Sequence, residues 1–173
     1  CADEQHVFNS LLTISAQGEC LSRYDKKHLF AYRGTEKNYH EAATIKAGDR
    51  LPSTLLIDHY KIAQGICFDL RFPEFFRQQL PFDVLILPAA FTYETGAAHW
   101  EVLLRARAIE NQCYVLASAQ GGVHDNGRHT FGHSMIIDPW GKVLVCVAEG
   151  EKVALAHIVP KELETVRSKL PVF

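Results

Sequence analysis

No stretch of this chain approaches the eighteen or so consecutive apolar residues that a bilayer-spanning helix needs, and no basic, apolar leader opens it, so no membrane role is expected. A large excess of either charge is missing as well. With 18 Lys and Arg against 20 Asp and Glu, interspersed along a chain of formal net charge -2, there is no electrostatic reason to expect a nucleic-acid groove or an anionic membrane as partner. Cysteine is sparse: Cys1, Cys20, Cys67, Cys113 and Cys146 are odd in number and scattered, without the short paired spacings of a zinc site or the density of a disulfide scaffold. Reduced thiols in a cytoplasmic protein are expected. No G-x-G-x-x-G or Walker sequence occurs, which disfavours hydride and phosphoryl transfer, and Ser134 lacks the second glycine of a nucleophile elbow. His124, His129 and His133 are interrupted by Gly127 and Gly132 and have no carboxylate at ligand spacing, so neither a metal nor another cofactor is expected.

What is present is a chain of 173 residues with 47% hydrophobic content, enough to bury a core and to be read as one domain or most of one, without internal repeat or linker. Residues 7–15 and 20–24, separated by Ala16-Gln17-Gly18-Glu19, predict a hairpin. Residues 31–50 are polar and aperiodic and predict a long connection, a setting that often carries function and that makes its acid Glu41 of interest. Strands follow over 53–58 and 61–68, a Pro-started helix at 73–77, a buried strand at 83–88, a helix over 95–111 with Trp100, Leu103, Leu104, Ala108 and Ile109 on one face, and a strand at 113–119. Residues 121–132 read as a loop, 134–138 and 143–148 as paired strands, 152–158 as one more, and 160–169 as a helix with Leu163, Val166 and Leu170 inward. The β-α-β-α-β succession predicts an α/β layered fold around a largely buried mixed sheet.

Cys67 closes an apolar run and is followed at once by Asp69, Arg71 and Glu74, charges that a purely structural core would not gather without partners. Its thiol is the candidate nucleophile. Lys26, at the end of a predicted strand, is the cation that would stabilise a thiolate and later an oxyanion if it pointed inward. Cys20, Cys113 and Cys146 lack such a setting and read as structural. Arg105, Arg107 and Glu110 read as an ordinary exposed helix face, whereas His99 and Trp100 at the start of that helix could wall a pocket, with a core anchor equally open for Trp100.

Four runs carry a resemblance: Tyr24-Asp25-Lys26-Lys27-His28-Leu29-Phe30; Cys67-Phe68-Asp69-Leu70-Arg71-Phe72-Pro73-Glu74; Ala98-His99-Trp100-Glu101 through Ala106-Arg107-Ala108-Ile109-Glu110-Asn111; and Gly132-His133-Ser134-Met135 with Asp138-Pro139-Trp140-Gly141. In these the chain resembles the nitrilase superfamily of carbon-nitrogen hydrolases, in its branch of Nit-type amidases. The resemblance implies a four-layer α-β-β-α sandwich, a homodimer packed helix layer to helix layer, and a Glu-Lys-Cys triad. It places the lysine at Lys26 and the nucleophile at Cys67, aligns a further glutamate with Glu41, and puts the oxyanion between Lys26 and the Phe68 backbone N–H. The implied substrate is a small carboxylated amide, deaminated glutathione or an ω-amidase substrate of the α-ketoglutaramate type. The family's general-base glutamate precedes the lysine motif by more residues than this sequence has there, so residues 1–173 are expected to be the C-terminal part of one hydrolase domain. Two rivals remain: Cys1 as an N-terminal nucleophile, and a non-catalytic scaffold that keeps the fold.

Overall fold

The computed structural model describes residue 3, residues 5–34 and residues 38–173, and divides the chain into two compact units, Cys1–Ser53 and Thr54–Phe173. Cys1 therefore lies outside the described residues.

In the first unit β1 (Ser10–Ile14) and β2 (Cys20–Asp25) pair antiparallel with Ser10 opposite Asp25, the predicted hairpin. Gly18 takes a left-handed φ of 83° in the turn, which costs a residue without Cβ nothing. The segment expected to be a long connection is more ordered than its composition indicated. It holds the short antiparallel pair β3 (Ala31–Arg33) and β4 (Asn38–His40), then a 3-10 turn at Glu41–Ala43. Strands of three residues are too short to show an alternating period. Val7 bridges Ile45, and Gly48 donates its N–H to the Lys26 carbonyl at 2.9 Å. A Cβ on Gly48 would stand 2.1 Å from the Asp25 carbonyl oxygen, so only glycine allows the chain to close over the end of β2.

The second unit is built on a six-stranded sheet in the order β12-β11-β8-β7-β6-β5. Its strands are β5 (Leu55–Ile57), β6 (Tyr60–Gln64), β7 (Val84–Ala89), β8 (Tyr114–Ala119), β11 (Ser134–Ile137) and β12 (Val143–Val147). The central three, β6, β7 and β8, run parallel and are joined through α1 (Pro73–Arg77) and α2 (Tyr93–Asn111), while the outer pairings are antiparallel. Period-two alternation sends Ile62, Val84 and Tyr114 to one face, where they form a core cluster with Leu163 of α3 (Pro160–Lys169). The alternate residues Ala63, Leu85 and Val115 are fully buried on the other. Burial on both faces is why these strands read as continuous apolar runs.

Several expectations need correction. The loop at 121–132 contains the small hairpin β9 (Gly121–Val123) and β10 (His129–Phe131). No strand forms over 152–158; Val153 and Leu155 are exposed, because an alternating pattern needs a neighbour to pair with and no ladder reaches it among the described residues. Leu170 is exposed because α3 ends at Lys169, and Ile109 is 45% exposed rather than in the core.

Arg107 is the clearest reversal. Instead of joining an exposed face it is buried, donating through Nε and Nη2 to the Leu70 carbonyl at 3.0 and 2.6 Å and through Nη1 to Glu110 at 2.9 Å. It ties α2 to the turn that begins at Cys67. Arg107→Met is expected to cost on the order of 3 kcal/mol, because the Leu70 carbonyl loses both donors and Glu110 its partner, and urea unfolding should report the loss.

Candidate active site

The first unit contributes a buried ion pair. Lys26 follows directly on β2 and is 2% exposed; its Nζ donates to Glu41 Oε2 at 2.5 Å. Phe30 N–H donates to the same oxygen at 2.6 Å, and Asn9 Nδ2 donates to Oε1 at 3.1 Å. Asn9 also accepts the Lys26 N–H on its own carbonyl at 2.8 Å, so one residue braces both partners. Burial by itself would raise the Glu41 pKa; the hydrogen bonds from Lys26, Phe30 and Asn9 and the Lys26 charge outweigh it and hold the carboxyl below its ordinary range. The carboxylate is thus ionised and fully engaged. Of the two adjacent lysines, Lys27 is only partly buried, and its N–H donates to the Tyr24 hydroxyl.

The second unit contributes the thiol. β6 stops at Gln64, where the Gln79 carboxamide clamps the strand end by accepting the Gln64 N–H and donating to its carbonyl, both at 3.1 Å. Gly65 follows, and a Cβ there would meet the Phe76 ring at 2.9 Å and Leu87 at 3.2 Å, so the strand's exit is packed tightly on the core. Cys67 therefore does not close the strand as expected but opens a 3-10 turn, Cys67–Arg71, with its own φ at +48°. That left-handed conformation costs a residue bearing Cβ about 1–2 kcal/mol and persists only where the surroundings impose it. Here fully buried Asp69 accepts the Ile66 N–H at 2.9 Å, the Asp69 N–H closes on the Ile66 carbonyl at 3.0 Å, and Arg107 holds Leu70. The thiol is half-buried at the mouth of this braced turn. Cys113, by contrast, is fully buried and burial pushes its thiol far up, which fits the structural role read for it.

Phe68 is the second residue of the turn, its ring edge-on to Phe72 with centroids 5.6 Å apart. The Arg71 guanidinium lies 5.7 Å from the Phe68 ring and 5.2 Å from the Phe91 ring, and both its terminal nitrogens are 3.3 Å from His99 Nδ1. Burial draws the Arg71 pKa down, and the charge of the Cys67 thiolate opposes that. Trp100 is not a pocket wall: it is fully buried, its indole N–H donates to the His133 carbonyl at 2.7 Å, and its ring packs on Phe91 at 4.9 Å. A large amphipathic ring whose N–H finds a backbone acceptor is a core anchor.

The three histidines of the 121–133 region are separately engaged: His124 Nε2 with Thr130 at 2.7 Å, His129 stacked on Tyr93, and His133 Nδ1 with the Phe131 carbonyl at 2.8 Å. Among the described residues no group of three or more His, Cys, Asp or Glu is arranged to hold a metal, and no helix is long and apolar enough to cross a membrane. The structure thus brings Lys26 together with Glu41, and His99 with the Cys67 turn. Asn9, Gln79 and Arg107 were not singled out for these roles, since each acts through a partner distant in sequence; only Asp69, already conspicuous beside Cys67, left a local signal.

The family model described as carbon-nitrogen hydrolase matches residues 2–168, running through both units. The deaminated glutathione amidase of a Synechocystis species is 46% identical over 169 residues, covering 95% of this chain and 62% of that one. The crystal structure of NitFhit from Caenorhabditis elegans, a nitrilase and fragile histidine triad fusion protein, superposes with a TM-score of 0.89 at 39% identity, over 97% of this chain and 42% of that one. An amidase from Nesterenkonia sp. AN1, solved with the acetamide moiety of fluoroacetamide added covalently at its active-site cysteine, gives 0.69 at 26%, over 80% and 50%. This chain spans less than two thirds of the length of each. Its fold is the nitrilase-type α-β-β-α sandwich, in which the six-stranded sheet with its helices is the part seen in the second unit.

Proposed function

Because this chain belongs to the carbon-nitrogen hydrolase family, we propose that it supplies the nucleophile and the oxyanion cation of an amidase acting on small carboxylated amides. In this reading residues 1–173 are the C-terminal part of one hydrolase domain. The Cys67 thiolate attacks the amide carbonyl, and the oxyanion is held by Lys26 Nζ and the Phe68 N–H. The tetrahedral intermediate collapses with expulsion of ammonia or amine, which leaves protonated, and water then cleaves the thioester to release the acid. Glu41 holds the Lys26 ammonium in place. With both oxygens already accepting hydrogen bonds, it is badly suited to shuttle protons, and that task is assigned to the general-base glutamate of the family, for which no motif of this sequence offers a match. No cofactor is needed for these steps.

The observation that carries the reading is the left-handed, braced conformation of Cys67, an expense of backbone energy at a thiol followed by Asp69, Arg71 and Glu74. The substrate is assigned as deaminated glutathione on the strength of the similarity to a relative of that name. Two copies pairing through α2, whose Val102 and Ile109 are exposed, and residence in the cytoplasm, where scattered thiols stay reduced, complete the proposal. Release of amine and ammonia across a panel of short carboxylated amides, using the full-length gene product, tests it. Deaminated glutathione should be cleaved fastest; a preference for α-ketoglutaramate-like amides would reassign the substrate, and inertness toward the whole panel would leave a scaffold.

A further inference from the structure

The turn that begins with Cys67 ends with a cation whose position is set from another element. Arg71 closes the 3-10 turn that Cys67 opens, and burial lowers its pKa while a negative charge on Cys67 would raise it. Two aromatic rings, Phe68 and Phe91, bracket it at 5.7 and 5.2 Å. Such contacts are attractive but weakly directional and do not by themselves fix where the charge points. Direction comes from α2: His99 Nδ1 lies 3.3 Å from both Nη1 and Nη2. Since a guanidinium only donates, Nδ1 must be the accepting nitrogen, and the ring is the neutral tautomer with its proton on Nε2.

The other charged groups in and against this turn have different commitments. Asp69 is fully buried, with Oδ2 accepting the Ile66 N–H. Arg107 is spent on the Leu70 carbonyl and Glu110. Arg71 is the charged side chain of the turn aimed by a neutral acceptor, which orients it without neutralising it. A carboxylate in place of His99 would hold the guanidinium as well but would cancel its field at the thiol.

We propose that His99 is a positioning residue for Cys67: by accepting from Arg71 it holds a second positive charge beside the thiolate, in addition to the one the proposed function assigns to Lys26. This rests on the reading of Cys67 as nucleophile. It also changes the part expected for His99, from a wall that touches substrate to a prop that acts through Arg71.

The test is the pH profile of iodoacetamide alkylation at Cys67 in the full-length gene product, followed by peptide mass spectrometry so that exposed Cys20 and Cys146 are counted apart. His99→Leu and Arg71→Met should each move the profile to higher pH and slow alkylation near neutrality by about three- to tenfold, an upward shift of about half to one unit. The double variant should be no slower than Arg71→Met alone, and His99→Asn, whose Oδ1 stands near the place of Nδ1, should recover most of the rate. Should His99→Leu fail to fold by circular dichroism, His99→Ala carries the same reading. A wild-type profile in His99→Leu, a wild-type profile in Arg71→Met, or additive losses in the double variant overturns the inference. A wild-type Cys67 that alkylates as an ordinary thiol sinks the proposed function too; a fast Cys67 indifferent to His99 sinks this inference alone.

Discussion

Cys67→Ala in the full-length gene product should lower amide turnover by a factor on the order of 10⁴ to 10⁶, with little change in the unfolding midpoint. The size of the loss follows from the role: without the sulfur there is no covalent intermediate, and what survives is the weak catalysis of an oxyanion site acting on water. The small stability effect follows from the geometry. Cys67 is half-buried, alanine removes a single heavy atom, and the φ of +48° is imposed by Asp69, Arg107 and the clamp at Gln64 rather than by the thiol. Initial rates of amine or ammonia release, with circular dichroism as the folding control, decide it. A variant within tenfold of the wild type would remove the nucleophile assignment and the mechanism built on it.

That cysteine also marks how far the sequence could be read. The charged cluster Asp69, Arg71, Glu74 made Cys67 conspicuous, and the strands β6, β7 and β8 with α1 and α2 between them were visible as apolar runs and a helical period, because each buries a continuous surface. The family resemblance was legible for another reason: its four runs are long and lie along most of the chain. Hidden were features that depend on partners far along the chain. The β3/β4 and β9/β10 pairs are three residues to a strand and mostly polar, so no period announces them. Arg107 reads as a surface residue until Leu70, 37 positions earlier, presents its carbonyl. Asn9 finds Glu41 across 32 positions, and Trp100, an ambiguous anchor in sequence, is resolved by the His133 carbonyl. The error at 152–158 has the opposite origin: alternation was present, but strand formation is a pairing event and no ladder supplied one.

Lys26→Met is expected to affect stability and activity together, and the two effects can be separated. Replacing the ammonium leaves Glu41 a mostly buried carboxylate with only Phe30 N–H and Asn9 as donors, and breaking a buried ion pair in this way typically costs about 3–5 kcal/mol. The pH dependence gives the loss a signature. In the wild type Glu41 is held below its ordinary pKa, so its contribution is present above the carboxylate range and fades as pH falls through the depressed folded value. In the variant burial is less well opposed, the carboxyl titrates higher, and protonation relieves the stranded charge. The gap between the two proteins in urea unfolding should therefore be full at neutral pH and narrow toward about pH 4, whereas a gap due only to lost packing would not depend on pH. Turnover should fall by a further measure, about 10² to 10³ for loss of an oxyanion donor. Adding Glu41→Leu to Lys26→Met removes the stranded carboxylate and should restore much of the stability while leaving turnover low. If that double variant regained activity, Lys26 would be a structural partner of Glu41 and the oxyanion would need another cation.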